Sequence, residues 1–199
     1  MLCCVCNVIL SFFLYNKNCD HKEVVNDNLK YRLGGVIIVK LKYAKQVDLQ
    51  EIIRTCIGTG LGIGGIAILA QYTELPFLIA PFGASAVLLY SAASSPLAQP
   101  RNLVIGHMSS GFVAITCCRL LGNTVYALVF AVTLAIVVMM LLDAVHPPGG
   151  ATALLCMLQG TTSYTFLFLP VLIGAMILLM AAIIASHLVP NAKPYPATK

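Results

Sequence analysis

Hydrophobic residues run through this chain in long blocks separated by short polar breaks, beginning near residue 52. Four blocks hold about 18–22 residues each, which is enough for a helix to cross a bilayer core of ~30 Å. They are residues 52–70, 101–121, 125–142 and 167–188. The pattern predicts an all-α membrane protein, a helical bundle with four full spans.

Two further apolar stretches, residues 75–93 and 144–160, are interrupted by proline and glycine. The first is broken at PFG (81–83) and the second at PPGG (147–150). Proline disrupts a helix interior, so the second stretch retains only about 13 residues after its break, a helix of ~20 Å. We therefore predict a half-helix after each break.

The two breaks align with each other without gaps. PFGASAVL (81–88) matches PGGATALL (148–155), so that Pro81 aligns with Pro148 and Leu88 with Leu155. Each break lies between two long apolar blocks, so the pattern predicts two structural repeats of span, broken helix and span. The alternative is a chance match among small residues, which are common in membrane helices.

The topology depends on whether each broken segment crosses the membrane or turns back. If both cross, each repeat has three passes and the second repeat is inverted relative to the first. If both are re-entrant, there are four passes and the repeats are parallel. The positions of lysine and arginine are compatible with both schemes. We favour the inverted scheme, because inverted repeats around broken helices are a known way to build a midplane site.

Composition supports the membrane assignment and narrows the class. Of the 199 residues, 59% are hydrophobic and 10% are charged, and the mean hydropathy is +0.92. Eight of the twelve lysines and arginines lie at or before Arg54. This asymmetry favours a cytoplasmic N-terminus and argues against nucleic-acid binding. No transit peptide is visible, so we expect a bacterial inner (plasma) membrane.

Three regions differ in character. Residues 1–50 are a basic, partly amphipathic or disordered extension, residues 51–190 the transmembrane domain, and residues 191–199 a tail. The eight cysteines have no disulfide-framework spacing, and the CxxC at residues 3–6 has no second ligand pair. We therefore expect neither a metal nor a cofactor.

A helix that begins inside the membrane directs unpaired N–H groups and the positive end of its dipole at whatever precedes it. An anion suits that position. Glycines would admit the ligand to the backbone and hydroxyls would add donors, while the alternative is that the breaks only kink packed helices. The predicted substrate-binding residues are Gly83, Ala84, Ser85, Gly149, Gly150, Ala151 and Thr152.

Ionisable and amide side chains beside the breaks form a predicted proton or anion pathway, since such groups within a membrane are functional candidates. The histidine before the second break could carry a proton, and the aspartate could orient it or pair with Arg101 or Arg119. Structural roles at the interface or between helices are the alternatives. The predicted pathway residues are His146, His107, Arg101, Asn102 and Asp143.

The first span contains GxGxxG at residues 60–65, but no strand precedes it, so a dinucleotide site is excluded. The pairs Gly58 and Gly62, and Gly60 and Gly64, instead predict a face for close helix packing. This face is also compatible with a homo-oligomer. No catalytic motif is present, and we expect the protein not to be an enzyme.

Three motifs, PFGASAVLLY (81–90), SPLAQPRNLVIGH (95–107) and HPPGGATALL (146–155), resemble in order and spacing the HPP family of integral membrane proteins. The resemblance covers roughly residues 51–188 and implies four transmembrane helices. Members from photosynthetic organisms are associated with nitrite transport, so it also implies an anion transporter. Formate, nitrate or chloride would satisfy the same physics.

Three functions follow from these observations. The first is a transporter or channel for a small monovalent anion, nitrite foremost, with the half-helix tips as the site and His146 as a proton carrier. The second is a membrane-anchored sensor or assembly module without transport activity, in which residues 1–50 bind a partner. The third is a membrane enzyme that uses His146 and Asp143 as acid and base.

Overall fold

The computed structural model describes residues 30–33, 36–39, 48–189 and 192–197. The chain divides into two compact units, Met1–Gln46 and Val47–Lys199. In the first unit, β1 (Lys30–Leu33) pairs antiparallel with β2 (Val36–Val39). The sequence indicated only a basic, partly amphipathic or disordered extension here and did not predict these strands. The predictions for residues 1–29, including the CxxC, lie outside the described residues.

The second unit is helical, as predicted. Leu167–Leu172 is a π-helical turn that continues into the last helix, so Leu167–Leu188 is one segment, and a 3₁₀ turn at Pro96–Ala98 precedes the third helix. The helices are α1 (Leu49–Thr73), α2 (Ala80–Ser91), α3 (Pro100–Leu121), α4 (Val125–Leu141), α5 (Pro147–Leu158) and α6 (Ile173–Leu188).

Three of the described helical segments are long and apolar enough to cross a membrane: Leu49–Thr73, Pro100–Leu121 and Leu167–Leu188. The fourth predicted span, α4, has 17 residues and a length of about 25 Å. It ends at Leu141 because Asp143 adopts a left-handed conformation with φ 48°. Helix length therefore supports three full spans, and the fourth is not confirmed.

The two predicted half-helices are present. α2 and α5 each contain 12 residues, or about 18 Å, well short of a ~30 Å core. Each begins after an extended residue, Ile79 or His146, and carries proline in its first two positions. Proline is tolerated there because the first N–H groups of a helix have no intrahelical partner.

Hydrogen bonds locate the helix ends relative to one another. Near the start of α1, Arg54 Nη2 donates to Tyr90 O near the end of α2 at 2.9 Å. After α6, Tyr195 donates its hydroxyl to Ala98 O, just before α3, at 2.8 Å. Lys193 N donates to the Glu51 carboxylate at 2.8 Å. The starts of α1 and α3 and the ends of α2 and α6 thus share one end of the bundle, the Arg54 end.

The remaining helices follow the same alternation. Arg101, at the start of α3, donates from Nη2 to Leu142 O at 2.7 Å, which brings the end of α4 to the Arg54 end. At the opposite end, Thr116 and Tyr164 share a hydroxyl hydrogen bond of 2.9 Å. α1, α3 and α5 therefore run one way along the bundle, and α2, α4 and α6 run the other way.

Packing joins the first three helices to the last three. α1 has its most extensive contact with α6, and α3 packs against both α4 and α5. One apolar core cluster is built mainly from α1, α2 and α6, and another mainly from α3, α4 and α5. Neither half of the domain therefore has a core of its own.

The glycine face predicted on α1 is confirmed for one of its two pairs. Gly58 and Gly62 are buried against Tyr90 of α2, and a Cβ added at Gly58 would lie 2.6 Å from Cδ1 of that ring. The Tyr90 hydroxyl donates to Leu178 O of α6 at 3.1 Å. A Cβ at Gly60 or Gly64 would meet nothing within 4 Å. The first pair thus makes room for a tyrosine that ties α1, α2 and α6 together.

Substituting Gly62→Ala is expected to destabilise the folded protein, because the added Cβ would displace Tyr90. We expect a loss of about 1–3 kcal/mol, as for an overpacked core. The measurement is thermal unfolding in detergent, followed by a thiol-reactive dye that reports exposure of the buried Cys117, Cys118 and Cys156. Gly60→Ala in the same helix is the matched control and should not lower the midpoint. Equal midpoints for the two variants would contradict the assignment of a packing face.

Candidate functional site

The two half-helices meet at one histidine. Ser85 and Thr152 are each the sixth residue of their helix, α2 and α5, and both are fully buried. Ser85 Oγ lies 2.8 Å from His107 Nε2, and Thr152 Oγ1 lies 2.8 Å from His107 Nδ1. Equivalent hydroxyls from the two breaks therefore contact opposite edges of one imidazole on α3.

A second histidine extends this cluster. His146 Nε2 lies 3.0 Å from Ser85 Oγ, and its Nδ1 lies 2.9 Å from Leu97 O in the 3₁₀ turn before α3. Its ring centroid is 5.0 Å from that of His107, and both side chains are fully buried. We call Thr152, His107, Ser85 and His146 the histidine relay.

The direction of each hydrogen bond in the relay follows from the carbonyl at its end. A carbonyl oxygen only accepts, so His146 Nδ1 donates to Leu97 O, and Nε2 of a neutral His146 accepts from the Ser85 hydroxyl. The Ser85 oxygen then accepts from Nε2 of His107, whose Nδ1 accepts from the Thr152 hydroxyl. All four contacts are satisfied with both rings uncharged, the form that burial favours.

Glycines allow the close packing that assembles the relay. A Cβ at Gly106 of α3 would lie 2.5 Å from His146 Cβ, and one at Gly149 of α5 would lie 2.7 Å from Gly106 O. Any other residue at these positions would push α5 and His146 away from α3. Gly149 was predicted to bind substrate, but the structure places it in this helix contact.

The other small residues predicted at the tips lie away from the relay. Gly83, Ala84 and Ala151 are exposed and Gly150 is half-buried, and a Cβ at either of these glycines would meet nothing within 4 Å. Helical residues two positions apart do not face the same side, so Gly83 and Gly150 cannot share a face with the hydroxyl two residues later.

Some backbone N–H groups at the start of each half-helix already have hydrogen-bond acceptors. Phe82 N donates to Ile79 O at 3.1 Å, and Gly149 N donates to His146 O at 2.8 Å. Pro147 and Pro148 have no N–H. The half-helix ends thus offer a ligand fewer backbone donors than predicted, and the relay lies beside the second turn of each half-helix rather than in front of its first turn.

The predicted polar residues at the Arg54 end form hydrogen bonds with the loop before His146. Arg101 donates to the carbonyl oxygens of Leu142 and Asp143, and its Nη1 lies 3.6 Å from Asp143 Oδ2. Asn102 Nδ2 donates to Val145 O at 2.9 Å. The expected pairing of Asp143 with Arg101 is therefore present, but this exposed pair contributes little stability. Asp143 does not orient His146, since Leu97 O does.

Two groups that position the histidine relay could not be identified from the sequence. The acceptor for His146 is a backbone carbonyl, and no side-chain pattern marks it. Tyr195, in the predicted tail, is 3% exposed and donates to Ala98 O, adjacent to Leu97. Burial raises the pKa of Tyr195 above its ordinary value, which keeps the phenol a neutral donor. Among residues the structure describes, no group of His, Cys, Asp or Glu could hold a metal ion.

Comparison with known proteins gives one family. The chain matches the family described as HPP, transmembrane region, over residues 44–196. Two curated proteins from Dictyostelium discoideum, each named only as a transmembrane protein, are similar to it. One is 37% identical over 151 residues, covering 70% of this chain and 53% of the relative. The other is 38% identical over 162 residues, covering 76% and 52%.

The chain thus spans about half the length of these relatives. Their names support an integral membrane protein but specify no substrate. Their source does not support the bacterial inner membrane expected from the sequence, and nothing in them bears on orientation. No solved structure matches the chain.

Replacing Thr152 with valine should destabilise the protein, because it removes the hydroxyl that donates to His107 and leaves a buried ring nitrogen without a partner. We expect a loss of about 1–3 kcal/mol. The thermal midpoint in detergent measures it, with Thr133→Val as the control, since the Thr133 hydroxyl is exposed and bonds only to its own helix. A Thr152→Val midpoint no lower than that of the control would show that the hydroxyl is not needed to satisfy His107.

Proposed function

This chain belongs to the HPP transmembrane family, and we propose that it is a transporter for a small monovalent anion, built from two inverted repeats. Nitrite is the first candidate, on the resemblance to members from photosynthetic organisms. The observation that carries the proposal is the position of His107, which is hydrogen-bonded to equivalent hydroxyls of both half-helices at the interface between the two halves.

The element boundaries support the repeats. α2 and α5 begin at Ala80 and Pro147 and end at Ser91 and Leu158, so the spacing between them is the same at both ends. Pro100–Leu121 and Leu167–Leu188 have 22 residues each and are separated by that same spacing. This agreement extends over most of each half and involves no gap, which is difficult to attribute to chance among small residues.

The burial pattern of the half-helices supports the same alignment. At every aligned position except Gly83 and Gly150, the two half-helices have the same degree of burial. The buried pairs are Pro81 and Pro148, Phe82 and Gly149, Ser85 and Thr152, Ala86 and Ala153, Leu89 and Cys156, and Tyr90 and Met157; the exposed pairs are Ala84 and Ala151, Val87 and Leu154, and Ser91 and Leu158.

The helix directions favour inverted over parallel repeats. A re-entrant α2 would return the chain to the side where α1 ends, so that α3 would begin there. Instead α3 begins at the Arg54 end, beside the start of α1. α2 with its non-helical lead-in, residues 74–79, therefore completes a crossing, and three crossings per half reverse the second half.

The opposed half-helices support an anion as the solute. α2 and α5 run in opposite directions, so the positive ends of their dipoles lie on opposite sides of the relay, each within two turns of its hydroxyl. None of the hydrogen bonds of the relay involves a carboxylate, and Asp143, before α5, is exposed and paired with Arg101. A buried polar cluster between repeats is also costly in a membrane protein unless it serves function.

Uptake into proteoliposomes tests the proposal. Purified protein should take up nitrite in preference to at least one of nitrate, formate and chloride. The double variant Ser85→Ala, Thr152→Ala should lose most of this uptake, because both half-helices lose their link to His107. The matched control is Ser91→Ala, Thr133→Ala, which removes two exposed hydroxyls that bond only within their own helices.

The outcomes separate the candidate functions. Uptake lost in the first double variant and kept in the control supports transport through this site. Uptake of all anions without preference would support a less selective pore. Absence of any uptake by folded, inserted protein would overturn the proposal and favour the sensor or assembly module.

A further inference from the structure

We propose that the histidine relay binds a single exchangeable proton, shared between His107 and His146 through the Ser85 hydroxyl, and that this proton moves with the transported anion. The inference rests on the proposed function and names the ion that drives it. It follows from the hydrogen-bond geometry of the relay, which can accept one proton without leaving any partner unsatisfied.

The first protonated state places the charge on His107. Its Nδ1 gains a hydrogen and donates to Thr152 Oγ1, so the Thr152 hydroxyl turns to its other partner, Pro148 O, at 3.3 Å. Nε2 continues to donate to Ser85, and Ser85 continues to donate to His146. One proton has been added, and every polar atom of the relay keeps a partner.

The second protonated state places the charge on His146. His107 Nε2 gives its hydrogen to Ser85 Oγ as Ser85 gives its own hydrogen to His146 Nε2, across contacts of 2.8 and 3.0 Å. His146 then donates from both nitrogens, to Ser85 and to Leu97 O, and the reversed Ser85 hydroxyl donates to Nε2 of a neutral His107. The proton count is unchanged, and the transfer needs no water.

A second proton is excluded by the same geometry. With both rings charged, Ser85 would receive N–H donors from both histidines and its own hydroxyl hydrogen would have no acceptor in the relay. The two charges would also lie about 5.0 Å apart in a buried site. Coupled groups of this kind titrate as a pair rather than as separate residues, so the relay holds one proton.

Few other charges face the pair. α2, α5 and the connector at residues 92–99 contain no Asp, Glu, Lys or Arg. On the neighbouring elements, Arg101 of α3 and Asp143 before α5 pair with each other, and the Arg101 side chain is 54% exposed and that of Asp143 fully exposed. The charge state of the relay is therefore set mainly by its own two rings and by any anion beside them.

One proton with one monovalent anion makes transport electroneutral. The proteoliposomes would contain a trapped pH dye, and potassium with valinomycin would clamp the membrane potential. An inward nitrite gradient is applied first. A nitrate gradient is applied in a separate experiment, because nitrate has no permeant acid form at neutral pH. The interior should acidify with one proton per anion, at a rate independent of the clamped potential. Protein-free liposomes correct for diffusion of nitrous acid.

Variants test the relay itself. His146→Gln keeps an amide near the position of Nε2 but cannot be protonated, so it should abolish acidification. Ser110→Ala is the matched control for a serine change, because Ser110 is buried on α3 and bonds only to Gly106 O of its own helix. It should acidify like the wild type, whereas Ser85→Ala should not. Acidification retained by His146→Gln would overturn the proposal.

Failure of the proton site and failure of transport give different results. Anion uptake that is voltage-dependent and leaves internal pH unchanged would retain the transporter and overturn the proton site. If no anion is taken up, ¹⁵N-histidine NMR of the protein in detergent still decides, with His107→Gln and His146→Gln for assignment. The pair should bind one proton in total and lose that coupling in Ser85→Ala. Two protons bound independently would overturn the proposal.

Discussion

Hydrocarbon offers no hydrogen bonds, and this constraint governs the centre of the structure. Every polar group between the two halves of the domain must find its partner within the protein, at a cost of several kcal/mol if it fails. The relay meets the constraint with a chain of four contacts ending on one backbone carbonyl. Because Ser85 and the two histidines are satisfied only by one another, by Thr152 and by Leu97 O, the two half-helices, α3 and the connector before it are held in one arrangement.

Small residues make that arrangement possible. Gly106 and Gly149 let α5 and His146 reach α3, and Gly58 and Gly62 admit Tyr90 between α1 and α6. With lipid on the outside, helices in a membrane associate through such close packing and through hydrogen bonds rather than through burial of apolar surface. Glycine is a weak helix former in water, but in this protein the glycines determine which helices come into contact.

The sequence predicted the elements well and their contacts less well. The proline breaks and their gapless alignment located both half-helices, because such local signals do not depend on tertiary packing. α4 is one residue shorter than its apolar block, 125–141 against 125–142, since hydropathy does not register the left-handed turn at Asp143. The hydroxyls and His107 were all candidates, but their direct bonding could not be foreseen, because it depends on how α2 and α5 are placed across α3. The glycines and the hydroxyls of the tips were expected to bind one ligand together, but residues two positions apart on a helix do not face the same side.

Packing of the first helix against the last has a consequence for insertion of the protein into the membrane. α1 ends at Thr73 and packs most extensively on α6, which begins only at Ile173. During synthesis α1 must therefore reside in the bilayer without its main neighbour while four other helices are inserted. Its Gly58 and Gly62 face remains uncovered until α2 supplies Tyr90, and Tyr90 has no acceptor until Leu178 arrives. The first half of this protein is thus an assembly intermediate that is completed only by the second.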